Sequence, residues 1–516
     1  MHRHPILCAP LVILTLLLPA CGSSDAPPTG ENATGDADAS SDAPRLSGLV
    51  VHEEGTAPGY VLFSPLPSGT TYLLDADARV IRTWESEYAP HSLYLLPNGN
   101  LLRPGRDPER LKFDAGGSMG LLQMFDWDGN LIWDWKISDE KRILHHDIEP
   151  LPNGNFLAMG WEEKTPEEAR AAGRRPELIP EKGLWSEFIA EIESIPPDDG
   201  RIVWSWHVWD HLIQNYDPDA ANYGDPAEHP ERVDINGGGP ELEIDAEQLE
   251  QLRALGYVPA PDEDAEAEEE DEVRPDWLHL NAVDWHPELD QIAMTAPEAG
   301  EIWILARPSS TEEAAGPAGD LLYRWGNPSS YGHGTPEEKR LFYPHDVEWV
   351  PPDYPGGGHL TVFNNGNGRP GGNWTTLEEL VPPLNPDGTY RREAGAPWGP
   401  KELAWSYRAP EPESFYAPFI SGAHRLPNGN TFVTSGPEGR LFEVTPDGET
   451  VWDFWNPYSG DVRDRDGDRV GSDRVRYGVW RAQKLPPDHP AIAGRELVPL
   501  DPQPVVATLP ENGTQE

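Results

Sequence analysis

The chain has 516 residues, with 39 basic and 89 acidic side chains and a formal charge of −50. That balance excludes a nucleic-acid binder, which needs a basic face, and adsorption on anionic lipid. The length exceeds most compact domains and suits one large domain built from repeats.

The first stretch reads MHRHPILCAPLVILTLLLPACGSS. A basic start, an apolar core and small residues after it have the pattern of a signal peptide, and the apolar run is short for a spanning helix. LPAC, ending at Cys21, resembles a bacterial lipobox. Residues 1–20 are therefore expected to be a lipoprotein signal peptide, with Cys21 as the lipidated residue. Ordinary secretion with a nearby cleavage site is the alternative. The other cysteine is Cys8, so the rest of the chain cannot form an internal disulfide. Residues 21–47, rich in Ser, Asp, Ala, Gly, Thr and Pro, read as a flexible tether. Gly22 stands where an Asp often retains lipoproteins at the inner membrane, which points to the outer membrane of the cell envelope. No other segment is apolar enough to cross a bilayer, so the expected membrane contact is the lipid anchor alone.

A repeat fills residues 48–500. LPNGN occurs three times, at residues 96–100, 151–155 and 426–430. Asn-Gly between apolar runs is a strong hairpin signal. With looser relatives it gives six expected hairpins, over residues 91–102, 145–159, 279–294, 345–363, 421–433 and 481–497. A second phrase alternates with the first: VIRTW (80–84), LIWDW (131–135), IVWSW (202–206), LLYRW (321–325), LAWSY (403–407) and TVWDF (450–454). Aromatics two residues apart share one face of a strand. Four strands per unit, repeated radially, define an all-β fold, a six-bladed β-propeller. The chain begins on an aromatic strand and ends on a hairpin, so the N- and C-terminal segments are expected to close one shared blade. Most of the 20 tryptophans are expected to pack between blades. An insertion at 209–276 carries a helical pattern at 245–258 and an acidic run at 262–272, expected to be solvated. Residues 461–474 place Asp464, Asp466 and Asp468 around a glycine, which echoes a calcium loop without its distal Glu. Residues 501–516 are a tail.

In a propeller the innermost strands line a central channel. The residue that starts each hairpin is, in order, His91, His146, His279, His345, Ser421 and Arg481. One histidine at a strand start is ordinarily structural. Four at equivalent positions point to chemistry. Imidazoles facing one channel oppose each other's protonation, so most stay neutral near pH 7 and can act as nucleophile, base or donor. Such a ring could also hold a transition metal, although no CxxC pair or dedicated carboxylate spacing supports one. Asp147 and Asp346 each follow a ring histidine and, by strand alternation, should face away unless the strand start is irregular. TVFNNGNGRP (361–370) ends in turn residues and brings Arg369, a fixed fork of donors for an oxyanion, to the rim.

The phrases GYVLFSPL, HHDIEPLPNGN, DWLHLNAVDW, GDLLYRWGNP, HDVEWV, FNNGNGRP and SGAHRLPNGNT closely resemble the bacterial arylsulfate sulfotransferases, over most of residues 59–500. The resemblance implies a six-bladed propeller that moves a sulfuryl group from a phenol ester to another phenol without a nucleotide donor. The absence of a GxxxxGK loop agrees with that. It also implies that His279 in DWLHLN and His345 in PHDVEW are channel histidines and that Arg369 in GNGRP binds sulfate. The implied mechanism is ping-pong, with a histidine that takes the sulfuryl group and then yields it. Where the family's best-known nucleophile stands, this chain has GRLFEV (439–444), offering Arg440. His424, turned inward by a bulge, is then the expected nucleophile, with His146 and His345 behind it. His91, Arg369, Arg440 and Arg481 complete the expected substrate site. The leading reading is a sulfotransferase acting on a small-molecule aryl sulfate and a phenol, with no cofactor, no metal and no nucleic-acid partner. A propeller that only binds sulfated or phenolic ligands stays open, as does a metal-dependent enzyme on the histidine ring. Monomer and homodimer stay open as well.

Overall fold

The two phrases of the repeat become a turn and a strand of each blade in a computed structural model, which describes residues 45–109, 112–113, 115–237, 273–463 and 475–505. The signal peptide, Cys21, the expected helix at 245–258, the acidic run and the three aspartates of the calcium-like loop lie outside the described residues.

At all three LPNGN copies the leucine N–H donates to the carbonyl of the last asparagine, and the glycine N–H donates back to the leucine carbonyl. The first asparagine's Oδ1 accepts the last one's N–H in each copy. The glycines sit at φ of 91°, 89° and 91°, a left-handed turn position that costs any other residue. The phrase is therefore turn chemistry joining the first two strands of a blade.

Six antiparallel sheets follow one another along the chain. Blade 1 holds Tyr60–Phe63, Thr71–Leu74 and Val80–Trp84. Blade 2 runs from Tyr94–Leu95 through Leu101–Arg106 and Gly120–Phe125 to Leu131–Lys136. Blade 3 consists of Arg142–Pro150, Phe156–Lys164, Leu184–Ile195 and Asp199–His207. Blade 4 has Ala282–His286, Gln291–Ala296, Glu301–Ala306 and Leu321–Trp325. Blade 5 has Pro344–Trp349, Leu360–Asn364, Thr376–Leu380 and Trp405–Tyr407. Blade 6 has Gly422–Arg425, Thr431–Ser435, Arg440–Val444 and Thr450–Trp455. The 209–276 insertion adds a short parallel pair, Leu212–Ile213 with Val233–Asp234.

The aromatic phrase is the fourth strand of each blade, and its tryptophans explain the repeat. One tryptophan in each blade donates its indole N–H to a backbone carbonyl in the next blade: Trp84 to Asp126, Trp133 to Asp199, Trp206 to Gly319, Trp325 to Pro400, Trp405 to Pro446 and Trp452 to Ala76, all within 2.7–3.0 Å. Apolar clusters fill the same seams, such as Leu102, Trp133, Phe156 and Phe188 between blades 2 and 3. Phe63, Phe432, Trp452 and Phe454 do so between blades 6 and 1.

Both chain ends build blade 1. Its innermost strand is Gln483–Leu485, paired with Tyr60–Phe63. The hairpin expected over 481–497 does not form: Pro486, Pro487 and Pro490 follow the strand and lack the N–H that a second strand needs. A second clasp was not legible in the sequence. Gly48–His52 pairs with Thr450–Trp455 as a fifth strand on blade 6.

Removing one indole bond at the seam tests this account. Trp452→Phe keeps the ring packing but strands the Ala76 carbonyl, so urea unfolding should show a loss of about 1 kcal/mol.

Candidate functional site

The innermost strands begin irregularly. His146, His279, Asp346 and Ser421 have φ of 58°, 54°, 53° and 86°, a left-handed conformation that non-glycine residues rarely adopt and that clusters at functional sites. Register shifts accompany it in blade 3, between Ala158 and Gly160, and in blade 5, between His345 and Glu348. The kink cancels strand alternation, so sequence neighbours can serve one site. His145 and His146 are joined through their Nδ1 atoms at 2.7 Å. Asp147 and Asp346, which alternation would turn away, both reach Arg481.

A continuous chain of side chains crosses the start of blades 3 and 4. Glu187 Oε2 lies 2.8 Å from His145 Nε2, and His146 Nε2 lies 3.1 Å from His279 Nε2. His279 Nδ1 bonds to Asp276 Oδ2, and Asp276 Oδ1 accepts the His279 backbone N–H. Glu187 Oε1 accepts the Trp161 indole N–H and the Leu280 N–H. Trp161 stacks on His145 at 4.0 Å. Gly117 closes over His146: a Cβ there would meet the imidazole at 2.2 Å. Burial, then the fields of His279 and His145, hold His146 well below the usual histidine range. Burial also pushes His279 down, but the Asp276 charge and hydrogen bond outweigh it and raise the imidazole. Burial, reinforced by Asp276, raises Glu187 far above the usual carboxyl range.

His345 is held differently. Its Nδ1 lies 2.8 Å from Asn365 Oδ1. The Asn365 amide cannot be turned over, because its Nδ2 donates to the Ala417 and Ile420 carbonyls at 2.7 and 3.2 Å. The oxygen facing His345 only accepts, so Nδ1 carries the proton and Nε2 carries the lone pair. That Nε2 is buried without a hydrogen-bond partner. Burial, only partly offset by Asn365, brings the His345 pKa down to about 3.

Arg481 is the cation of the centre. Its Nη1 donates to Asp147 Oδ2 at 2.6 Å, and its Nε is 2.7 Å from Asp346 Oδ1, ion-paired but misaligned as a hydrogen bond. Burial works against its charge, but Asp147 and Asp346 outweigh it and raise the guanidinium. Aromatic rings join the histidines. Trp480 lies 4.5 Å from His91 and 5.3 Å from His146, and Tyr343 lies 6.0 Å from His279 and 5.8 Å from His345.

The structure thus gathers His91, His146, His279, His345 and Arg481. It places His424 and Arg440 elsewhere. His424 sits in an unbroken register, so the bulge that would re-aim it does not form. Its Nε2 accepts the Lys484 N–H at 3.2 Å, and its ring packs on Phe432. Arg440 lies on the third strand of blade 6, about 10 Å out from the innermost one, paired with Asp453 at 2.8 Å and packed on Phe442. Arg369 lies between Phe342 and Trp374 and donates to Thr376 at 2.9 Å, with its Nε unpartnered. Sequence reasoning missed His145, Glu187, Asp276, Asn365 and Trp480. The HH doublet and the aspartate three residues before His279 were visible signals, but Glu187 had none. Among the described residues no group of three or more His, Cys, Asp or Glu is placed to hold a metal ion.

Fold and centre together define a six-bladed β-propeller with a buried histidine cluster where its innermost strands begin. Residues 71–305 match the Arylsulfotransferase (ASST) family model, which supports an ASST-like family for this chain. The matched stretch includes His91, His146, Glu187 and His279, whereas His345, Arg369 and Arg481 lie beyond it. No curated protein matches. Solved structures similar to this chain include a protein of unknown function from Bacteroides caccae, at 10% identity over 83% of this chain and 99% of that one, TM-score 0.39. The β-propeller domain of Myceliophteria thermophila Cps50 shows 8% identity over 81% and 89%, TM-score 0.36. The periplasmic gluconolactonase PpgL of Pseudomonas aeruginosa shows 13% over 83% and 99%, TM-score 0.36. None of these likenesses is close enough to carry a functional argument.

With a pKa near 3 in the fold and about 6.5 unfolded, His345 gains its proton in the unfolded chain first as pH falls. Its contribution to stability is therefore complete above about pH 6.5 and is lost progressively toward pH 3. Nitrogen-15 spectra of histidine-labelled protein should show His345 as the Nδ1–H tautomer, without titration between pH 5 and 8.

Proposed function

We propose that this protein transfers a sulfuryl group from an aryl sulfate ester to a phenol, without a nucleotide donor, through a covalent intermediate on His345. The observation that carries this reading is the His345 Nε2 lone pair: deprotonated by construction, buried, and unpartnered. An unpaired buried acceptor costs about 1–3 kcal/mol, a cost that an incoming electrophile removes. The match to the Arylsulfotransferase (ASST) model supports sulfuryl transfer as the chemistry.

The proposed steps are these. His345 Nε2 attacks sulfur, the sulfur–oxygen bond to the aryl group breaks, and the electron pair leaves on the phenolate. A proton from the His146–His279 pair converts that phenolate to phenol. The acceptor phenol then returns a proton to the same pair, its oxygen attacks sulfur, and the nitrogen–sulfur bond breaks to restore His345. Charge on the sulfonate oxygens is met by the Arg481 guanidinium and the His279 imidazole. Arg369, with a spare Nε donor held over Phe342, meets the anion at the rim. His424 has no part in these steps, because Lys484 occupies its Nε2. We also place the protein in the cell envelope, anchored through a lipid on Cys21. The support for that is the LPAC sequence and the tether after it.

The test is transfer from p-nitrophenyl sulfate to phenol by purified protein. His345→Ala should lower kcat/KM by ~10³-fold or more, as expected for loss of a nucleophile, and His424→Ala by less than about tenfold. Donor treatment without acceptor should add the mass of one sulfuryl group to the peptide carrying His345. Folded protein that releases no nitrophenol from any aryl donor would instead fit a binding propeller.

A further inference from the structure

The mechanism above uses the proton shared by His146 and His279 but leaves the two buried groups behind His146, His145 and Glu187, unexplained. Glu187, His145 and His146 are each 0% exposed. A carboxyl and two imidazoles in a dry interior are costly unless they are fully paired. Here the pairing also limits the places each proton can occupy.

Both ends of the chain are determined. At one end Asp276 accepts two N–H bonds from His279, so His279 Nδ1 always carries a proton and only its Nε2 can change state. At the other end Glu187 Oε1 accepts from Trp161 and Leu280, so a proton on Glu187 must sit on Oε2, facing His145 Nε2 at 2.8 Å. Between the ends run three contacts: Oε2 to Nε2, Nδ1 to Nδ1 and Nε2 to Nε2. One mobile proton then has two complete arrangements. In the first, Glu187 is a neutral acid, each histidine donates to the next, and His279 is neutral. In the second, Glu187 is a carboxylate, every donor is reversed, and His279 is an imidazolium. No heavy atom moves between the two.

We propose that Glu187, His145 and His146 form a buried proton store for the His146–His279 pair that serves the leaving and accepting phenols. This rests on the reading of the site given above. When the sulfur–oxygen bond breaks, the phenolate takes the proton held between the two Nε2 atoms, whose 3.1 Å separation is the longest in the chain. Glu187 then gives its Oε2 proton to His145, His145 passes its own to His146, and the carboxylate left behind keeps three N–H donors. The acceptor phenol's proton later reverses each transfer, so protons balance over a full turnover. Glu187 and His145 touch no substrate and act through His146 and His279. The store spares the enzyme from drawing protons from water in a site that excludes it.

Glu187→Gln tests this directly. The amide oxygen can still accept from Trp161 and Leu280, and its NH2 can donate to His145, so the packing is kept. The amide cannot release that proton, and the chain is locked in one direction. The readout is kcat/KM for two donors with phenol as common acceptor: phenyl sulfate, whose leaving phenolate needs a proton, and p-nitrophenyl sulfate, whose phenolate needs it far less. Glu187→Gln should lower the phenyl sulfate value by ~100-fold or more and the p-nitrophenyl sulfate value by at least tenfold less than that. Equal losses for both donors, or no loss for either, would overturn the store and leave the transferase reading intact. Absence of transfer by the wild-type protein from every aryl donor would overturn both. Wild-type protein gives an independent check should the variant not fold. Rates with phenyl sulfate in mixed H2O and D2O should curve with deuterium content, as several protons move together, and a straight line would overturn the store.

Discussion

The hydrogen bond from a fourth-strand tryptophan to a backbone carbonyl of the next blade is the interaction on which the rest depends. A blade alone is a small twisted sheet with two apolar faces, and it cannot bury both by itself. The six indole bonds and the apolar clusters beside them set each blade against its neighbour. The last bond, from Trp452 to Ala76, closes the ring across the blade that both chain ends share. Closure matters for chemistry because the site belongs to no single blade. His146, His279, His345 and Arg481 come from four different blades, and they meet because the ring is shut.

The left-handed residues at the inner strand starts convert that scaffold into a site. A regular strand would send His145 and His146 to opposite faces, and likewise His345 and Asp346. With φ near +55° at His146 and Asp346, both members of each pair contribute to the centre. Strain of this kind persists only where surrounding contacts over-determine it. Here those contacts are the Arg481 ion pairs, the Asn365 amide and the stacking of Trp161 on His145.

Electrostatics set the buried centre apart from the rest of a chain of charge −50. The positive charge is local and buried. Arg481 is compensated by Asp147 and Asp346, which keeps it protonated in a dry interior. Asp276 favours the protonated form of His279 beside it. His345, by contrast, sits against the Asn365 amide, and burial holds its pKa down to about 3. Three buried basic groups in one centre are thus set to different tasks by which neighbour each one has.

Much of the fold was legible in the sequence because a propeller repeats its local chemistry. LPNGN marks a turn, the aromatic phrase marks the fourth strand, and their strict alternation gives the count of blades. The positions of His91, His146, His279, His345 and Arg481 followed from the same alignment, since equivalent positions in a repeat must face one axis. The roles of these residues did not follow. Sequence spacing could not show that His424 keeps its register, that Arg440 pairs with Asp453 on an outer strand, or that prolines end the last strand at Leu485. Nor could it find Glu187, which lies on the third strand of blade 3 and meets His145 only through the kink at His146. Repeat patterns are local and add up along a chain, so the sequence alone determines architecture and candidate positions. Which lone pair is free and which proton can move depend on side-chain partners brought from distant segments, and those only the closed ring decides.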